Sequence, residues 1–276
     1  MEIVQDDKIP SISEILEGKS DIKLDKCKFC GKPYTIHEYE IFKGTPKARK
    51  MRMQVPTCNC IEETERRQKE AEYNKYKKQR LTKLFENSLI TPYFQKKTFD
   101  NLKTKAEEYG NITELRQLYK YAKDFKKGQK GNGIFLTGKP GTGKTSMLAA
   151  VCNDLLGRGF NVLFITFSAL MEKFTKYSYD NNGDIFPLLM WLVKFDFIVL
   201  DDIGRENYTD RRKEIAYRII DTILNHEVPA GFTANPEMVT RLKKIEDWGA
   251  MLDRLKDICS MQIIFKGDSL RGRNGN

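Results

Sequence analysis

Nine consecutive residues, Gly138, Lys139, Pro140, Gly141, Thr142, Gly143, Lys144, Thr145 and Ser146, follow the spacing G-x-x-x-x-G-K-[ST]. That combination suits binding of a nucleoside triphosphate. Glycines let backbone N–H groups close around the β-phosphate, Lys144 neutralises the β and γ oxygens, and the Thr145 hydroxyl is a ligand for Mg²⁺. The context agrees, because Ile134 to Thr137 read as a strand and TSMLAAVCNDLLGRG as a helix ending near Gly157 or Gly159. A strand, a glycine loop and a helix N-terminus in that order form an anion site for the phosphates of ATP.

Downstream, the run FDFIVLDD from Phe195 to Asp202 is an apolar strand closing in two acids. A parallel sheet places its ligand crevice at the carboxyl ends of its strands. Asp201 is therefore expected to hold the Mg²⁺ through water, and Asp202 to orient or deprotonate the attacking water. The run PAGFTAN from Pro229 to Asn235 is a second apolar strand with a polar end, where the Asn235 amide could read the γ-phosphate beside the acids. Arg254 and Arg271 each stand near a helix or strand end, and each taken alone is a surface charge.

A second chemistry is carried by cysteine. Cys27 and Cys30 form a CxxC pair, and Cys58 and Cys60 a CxC pair about 28 residues on. Two thiolates on one turn can share a tetrahedral Zn²⁺, and a second pair closes a Cys₄ site with no position left for water, which makes the metal structural. His37 could replace one of the four. Cys152 and Cys259 sit in apolar contexts and read as buried thiols.

The elements that must position these groups can be traced along the chain. Ile9, Ile12, Ile15 and Leu16 mark a short amphipathic helix, with Ser11 and Glu14 spaced as a capping box and Gly18 as its stop. After Cys60 comes a segment of about 29 residues with neither glycine nor proline. It reads as a connecting helix, acidic at first and then basic through Lys75, Lys77, Lys78, Arg80 and Lys83. From Ile134 the apolar runs IFLT, NVLFIT, FDFIVL, AGFTAN and MQIIF alternate with helical stretches, as in a parallel sheet covered by helices. The 276-residue chain has 48 Lys and Arg against 38 Asp and Glu, and its net charge of +10 favours polyanionic partners. No stretch approaches the roughly 18 apolar residues of a membrane span, and MEIVQDDK has no signal-peptide character, so a cytoplasmic protein with reduced thiols is expected.

The order of these motifs resembles a known family. ENSLITPYFQKKTFDNL from Glu86 to Leu102, then the phosphate loop, IVLDDIG, FTAN, MLDRL and GDSLR are similar to the DnaC/DnaI replicative helicase loaders of bacteria and phages, and to their sister ATPases of transposition, IstB. The likeness covers residues 86–273. It implies an α/β AAA+ P-loop ATPase fold in which Asn235 takes the sensor 1 position, Arg254 is an arginine finger given to a neighbouring subunit, and Arg271 is the sensor 2 arginine of its own site. With five residues after Arg271, no separate C-terminal lid is expected. The family further implies ATP-dependent self-assembly, a hexameric DnaB-type helicase as partner, and single-stranded DNA held by residues 168–194. There Phe174, Tyr177 and Tyr179 could stack bases beside Lys173 and Lys176, or pack the inserted helix on the core.

A zinc-bearing amino-terminal domain on a helical linker is similar to the DnaI type, in which that domain grips the helicase. The expected organisation is a zinc-stabilised helicase-binding domain over residues 1–65, a basic helical linker over 66–85, and an ATPase domain over 86–276. Two other readings stay open: an IstB-like transposition helper, and a zinc-dependent nucleic-acid-binding protein with a vestigial ATPase. Intact Lys144, Thr145, Asp201, Asn235 and Arg254 speak against the last.

Overall fold

The computed structural model describes residues 26–46, 48–204, 209–242 and 248–267. The amphipathic segment at Ile9 to Leu16 and Arg271 lie outside these residues. The chain divides into two compact units, Met1–Tyr76 and Lys77–Asn276.

In the first unit, β1 (Tyr34–Ile41) and β2 (Arg49–Pro56) form an antiparallel hairpin with Tyr34 opposite Pro56 and Ile41 opposite Arg49. This register decides where the cysteines go. Residues just before β1 and just after β2 must emerge side by side, and the Thr57 hydroxyl donates to the Pro33 carbonyl at 2.6 Å to close that end. Cys60 then opens α1 (Cys60–Asn87), 28 residues with Glu62 and Glu63 complementing the positive end of the helix dipole. None of its side chains is fully buried. Leu84 and Phe85, in its last turn, pack on the core of the second unit, to which they belong.

The second unit opens with α2 (Pro92–Gln95), α3 (Phe99–Glu108) and α4 (Ile112–Asp124). Thr98 and Asn101 cap α3 reciprocally, each side chain bonded to the other's backbone N–H. Five parallel strands follow: β3 (Gly133–Gly138), β4 (Val162–Thr166), β5 (Phe197–Ile203), β6 (Ala230–Ala234) and β7 (Cys259–Phe265). Their order across the sheet is β4-β5-β6-β3-β7. The connecting helices are α5 (Lys144–Gly157), α6 (Phe167–Asp180), α7 (Phe186–Leu192), α8 (Asp210–Asn225), α9 (Pro236–Leu242) and α10 (Trp248–Ile258).

Both faces of the sheet are covered, which explains why its strands read as unbroken apolar runs. Along β5, Phe197 and Val199 join the core built with α3, α4 and α5, while Ile198 and Leu200 join the core built with α6, α7, α8 and α10. Alternate residues of a strand point to opposite faces, so one strand serves two cores. The strand order has a functional consequence: β3 lies between β6 and β7, and β6 lies between β3 and β5. The carboxyl ends of β3, β6 and β5 are thereby neighbours, although their residues are as much as 96 positions apart in sequence, from Gly138 to Ala234.

Candidate functional site

β3 ends at Gly138, where a side chain has no room: a Cβ there would meet the Cβ of Phe265 on β7 at 2.6 Å. Gly143 caps the next helix at φ +93°, a left-handed conformation that costs glycine nothing. α5 therefore starts immediately at Lys144, with the free N–H groups of its first turn open to an anion. Thr142 is fully buried and its hydroxyl donates to the Lys139 carbonyl, which fixes the loop.

Lys144 is also buried, and a buried ammonium needs oxygen partners. Its Nζ donates to the carbonyls of Gly138 at 2.7 Å and Lys139 at 2.9 Å, and to Asn235 Oδ1 at 3.2 Å. The amide expected to sense the γ-phosphate thus shares a point in space with the loop lysine.

The two acids sit at an irregularity in β5. Leu200 pairs with Phe232 and Ile203 with Ala234, so Asp201 and Asp202 together face the single residue Thr233. That is a β-bulge, and Asp202 takes φ +61° within it, a strained conformation of the kind found at functional sites. The acids lie within β5, two and one residues before its end at Ile203, rather than closing it.

Thr233 organises both. Its hydroxyl donates to Asp201 Oδ1 at 2.6 Å and accepts the Asp202 N–H at 2.8 Å. Thr145 Oγ1 donates to the same Asp201 oxygen at 2.9 Å. Burial raises the Asp201 carboxyl above its ordinary range, against the two hydroxyl bonds that lower it. A buried, hydrogen-bonded carboxylate beside a hydroxyl is an oxygen set of the kind that holds a hard dication, whose charge would offset that desolvation.

Arg254, on α10, stands apart from this group. Its Nε donates to Asp221 Oδ1 on α8 at 3.1 Å and its guanidinium lies 4.4 Å from the centre of the Tyr217 ring. Two residues that sequence reasoning passed over belong to the nucleotide site. Thr233 is one, and its signal was a polar side chain in a strand facing two acids. The other is Asn111, buried at the start of α4, whose side chain donates to the Thr142 carbonyl at 3.3 Å and accepts the Gly267 N–H at 3.2 Å. No local pattern marks Asn111, because its partners are 31 and 156 residues away.

Of the two readings of the inserted helix, Phe174 takes the packing one. Phe174 is fully buried in the core and cannot stack a base, because the helical period turns it toward β5 and α8. Tyr177 is half-buried against the same core. Tyr179 is exposed, with the Arg211 guanidinium 4.7 Å from its ring, and Lys173 and Lys176 are exposed too. Cys152 and Cys259 are buried thiols, pushed up in pKa by desolvation.

In the first unit, the thiol sulfurs of Cys27, Cys30, Cys58 and Cys60 all lie within 4.8 Å of one another. Thiolates on one tetrahedral Zn²⁺ at about 2.3 Å would lie about 3.8 Å apart, so the group fits that ion. Backbone N–H groups of Phe29 and Cys30 hold Cys27 down at about 7, while the neighbouring Cys30 thiol pushes Cys60 up to about 12. A cation among the sulfurs would offset the cost of ionising the raised Cys60 thiol. His37 is outside the group, exposed on β1 and stacked with Tyr39.

With this geometry in hand, similarity to known proteins can be placed on it. The pattern of the IstB-like ATP binding protein family matches residues 62–276. Over 195 residues the chain is 33% identical to the replicative helicase loader DnaC of Escherichia coli (strain K12), covering 70% of this chain and 77% of that protein. The chain belongs to the IstB/DnaC family of ATP-binding proteins. A crystal structure of DnaI superposes with a TM-score of 0.53 at 20% identity, covering 66% of this chain and 95% of that one. A crystal structure of the DnaC helicase loader gives 0.52 at 19%, covering 64% and 100%. The fold of this IstB/DnaC member is accordingly that of an AAA+ P-loop ATPase domain, and ATP is its nucleotide. The family match begins after the last of the four clustered cysteines. Among the described residues of this family member, no helix is long and apolar enough to cross a membrane.

Proposed function

We propose that this protein is a cytoplasmic, ATP-dependent loader of a hexameric DnaB-type replicative helicase onto single-stranded DNA. One observation carries the reading: a chain 33% identical to a DnaC loader gathers Lys144, Thr145, Asp201, Asp202 and Asn235 at the ends of three adjacent strands. Identity to DnaC at that coverage favours the loader over a transposition helper.

In this reading residues 138–146 cradle the triphosphate, and Lys144 neutralises its β and γ oxygens. Thr145 and Asp201 are the residues that would hold Mg²⁺, which supplies charge neutralisation at the phosphates when bound. Asp202 orients the attacking water and takes its proton, and Asn235 registers whether the γ-phosphate is present. Arg254 completes a neighbouring copy's site, and Arg271 its own. ATP thereby assembles adjacent subunits into a form that holds the helicase open for DNA, and hydrolysis dissolves it: a switch rather than a metabolic conversion. Lys173 and Lys176, exposed on α6, would meet the phosphates of the strand.

Residues 1–65 act as the helicase-binding module, 66–85 as a basic linker and 86–276 as the ATPase. Cys27, Cys30, Cys58 and Cys60 would hold Zn²⁺, whose role there is to cross-link the two ends of the hairpin. Support comes from the sulfur spacing.

The test is a pull-down of the full chain with a DnaB-type helicase, with and without ATP. Capture that depends on ATP and is lost in Lys144→Ala supports the loader. Absence of capture under both conditions, with zinc retained, removes it.

A further inference from the structure

Helices α8 and α10 pack side by side, and Arg254 is held where they meet. Tyr217 and Asp221 are four residues apart on α8 and so share one face. Asp221 takes the Nε–H of Arg254, and the central carbon of the guanidinium lies 4.4 Å from the centre of the Tyr217 ring. The carboxylate takes the Nε edge, and the ring meets the group at its central carbon. The two terminal nitrogens have no partner among the described residues, and the side chain remains 29% exposed.

Two other arginines of this unit are held differently. Arg158 turns its terminal nitrogens inward, onto the carbonyls of Ala122 and Phe125 and the carboxylate of Asp154. Arg211 gives a terminal nitrogen to the Ser178 hydroxyl. Their fork ends are used within the subunit, whereas that of Arg254 is offered outward. A planar fork whose fifth N–H is already bonded has its two remaining edges set to meet phosphate oxygens, and its long stem has lost most of its freedom before the encounter.

We propose that Tyr217 and Asp221 are positioning residues that hold Arg254 and present its terminal nitrogens to the γ-phosphate of a neighbouring copy's ATP. This rests on the reading of Arg254 as a residue acting between subunits. Preorganisation is the physical point: misplacing a group by about 1 Å can cost on the order of 10²-fold in rate. An arginine that must find its rotamer and its plane at each encounter would act more slowly without binding ATP any less well.

The experiment measures ATP hydrolysis by the full chain over a range of protein concentrations with oligo(dT) present, and ATP affinity separately at low protein concentration. Asp221→Ala and Tyr217→Ala should each lower the concentration-dependent kcat by roughly 10- to 100-fold, with ATP affinity unchanged. Tyr217→Phe keeps the ring and should keep the rate. Asp221→Asn, which can still accept the Nε–H but without charge, should fall between. In an Arg254→Ala background neither alanine substitution should cost anything more, because the group they position is gone. Both residues are partly exposed, so melting curves should stay near wild type.

Failure of the two readings looks different. If Arg254→Ala is impaired while the Asp221 and Tyr217 variants are not, the positioning role is wrong and the trans role of Arg254 stands. If the Asp221 and Tyr217 losses add to that of Arg254→Ala, or come with weaker ATP binding, the pair serves packing and the proposal is overturned. If Arg254→Ala hydrolyses like wild type, the inter-subunit reading itself is lost, and this one with it.

Discussion

The nucleotide site and the cysteine cluster solve the problem of gathering distant groups in opposite ways. The nucleotide site draws on Lys144, Asp201, Thr233 and Asn235, which a sheet buried on both faces carries into place. Apolar burial on that scale, roughly 25 cal/mol per Å², holds the strands whether or not a ligand is present. The cysteine cluster is held by one hairpin whose β1 is mostly exposed, with Cys27 the one buried apolar residue among those described up to Asn87. The neighbouring Cys30 side chain pushes the Cys60 thiol up to about 12. A core can preorganise a site, whereas the hairpin would rely on the proposed zinc.

Metal removal should break the comparison most visibly. Structural zinc contributes about 10–16 kcal/mol in small domains at pH 7. Chelation, or Cys27→Ser, should therefore melt the hairpin and abolish helicase capture, while ATP binding and the main thermal transition persist. Near- and far-ultraviolet dichroism on the full chain, with elemental analysis of zinc, checks both halves. A single cooperative loss of both units would show that they are not independent in the way drawn here.

On the nucleotide side the largest effects fall on rate. Arg254→Ala should lose on the order of 10³- to 10⁵-fold in assembly-dependent hydrolysis with ATP affinity kept in the isolated subunit. Lys144→Ala should instead lose ATP binding. Mixing the two variants should restore some activity, because an intact site then meets an intact arginine; no recovery at any ratio, with mixed assemblies present, would remove the trans mechanism. Stability effects come next. Phe174→Ala should destabilise the ATPase unit by about 3–5 kcal/mol in denaturant titration, as a buried ring does, without a selective loss of DNA binding.

Smaller changes sharpen the picture around the acids. Thr233→Val removes a hydroxyl that bonds Asp201 and accepts the Asp202 N–H, leaving Asp201 with the Thr145 bond alone, at a cost of about 1–3 kcal/mol. Hydrolysis should fall more than ATP affinity. The smallest effect is in pH dependence. Burial raises the Asp201 carboxyl in the native state, so the native chain holds that proton more tightly than the unfolded one. This group therefore makes the ligand-free protein more stable as pH falls through its native value toward the ordinary carboxylate range, and less stable as pH rises. Melting temperatures of wild type and Asp201→Asn across that window isolate it: the increment should vanish in the variant, which should also be the more stable of the two at neutral pH.

Several features were legible in local spacing. The loop from Gly138 to Ser146 must turn tightly and open a helix, whatever packs around it, because its glycines and its lysine are covalently placed for that. The paired acids after an apolar run, and the CxxC and CxC pairs, are equally local. The parallel sheet showed as apolar runs long enough for strands and too uniform for one-sided burial. The hairpin between the cysteines went unread, although YTIHEYEI and RKMRMQVP flank a turn containing Gly44 and Pro46. Arg49, Lys50 and Arg52 obscured the strand character of the second run.

What the sequence determined by itself was chemistry: a phosphate loop, two acids, four thiols and the family order that joins them. What the tertiary structure alone decided was which distant residue completes each group. Thr233 faces the acids because β5 bulges opposite it, Asn111 ties the loop to Gly267 because α4 begins beside both, and Phe174 points inward because of the face α6 turns to the sheet. Arg254 acquires Tyr217 and Asp221 only when α10 packs on α8. The physical reason is the range of the interactions. A motif is set by bonds along the chain, a few ångströms per residue, whereas these partners are chosen by the burial of whole helices and strands, which has no address in any short stretch of sequence.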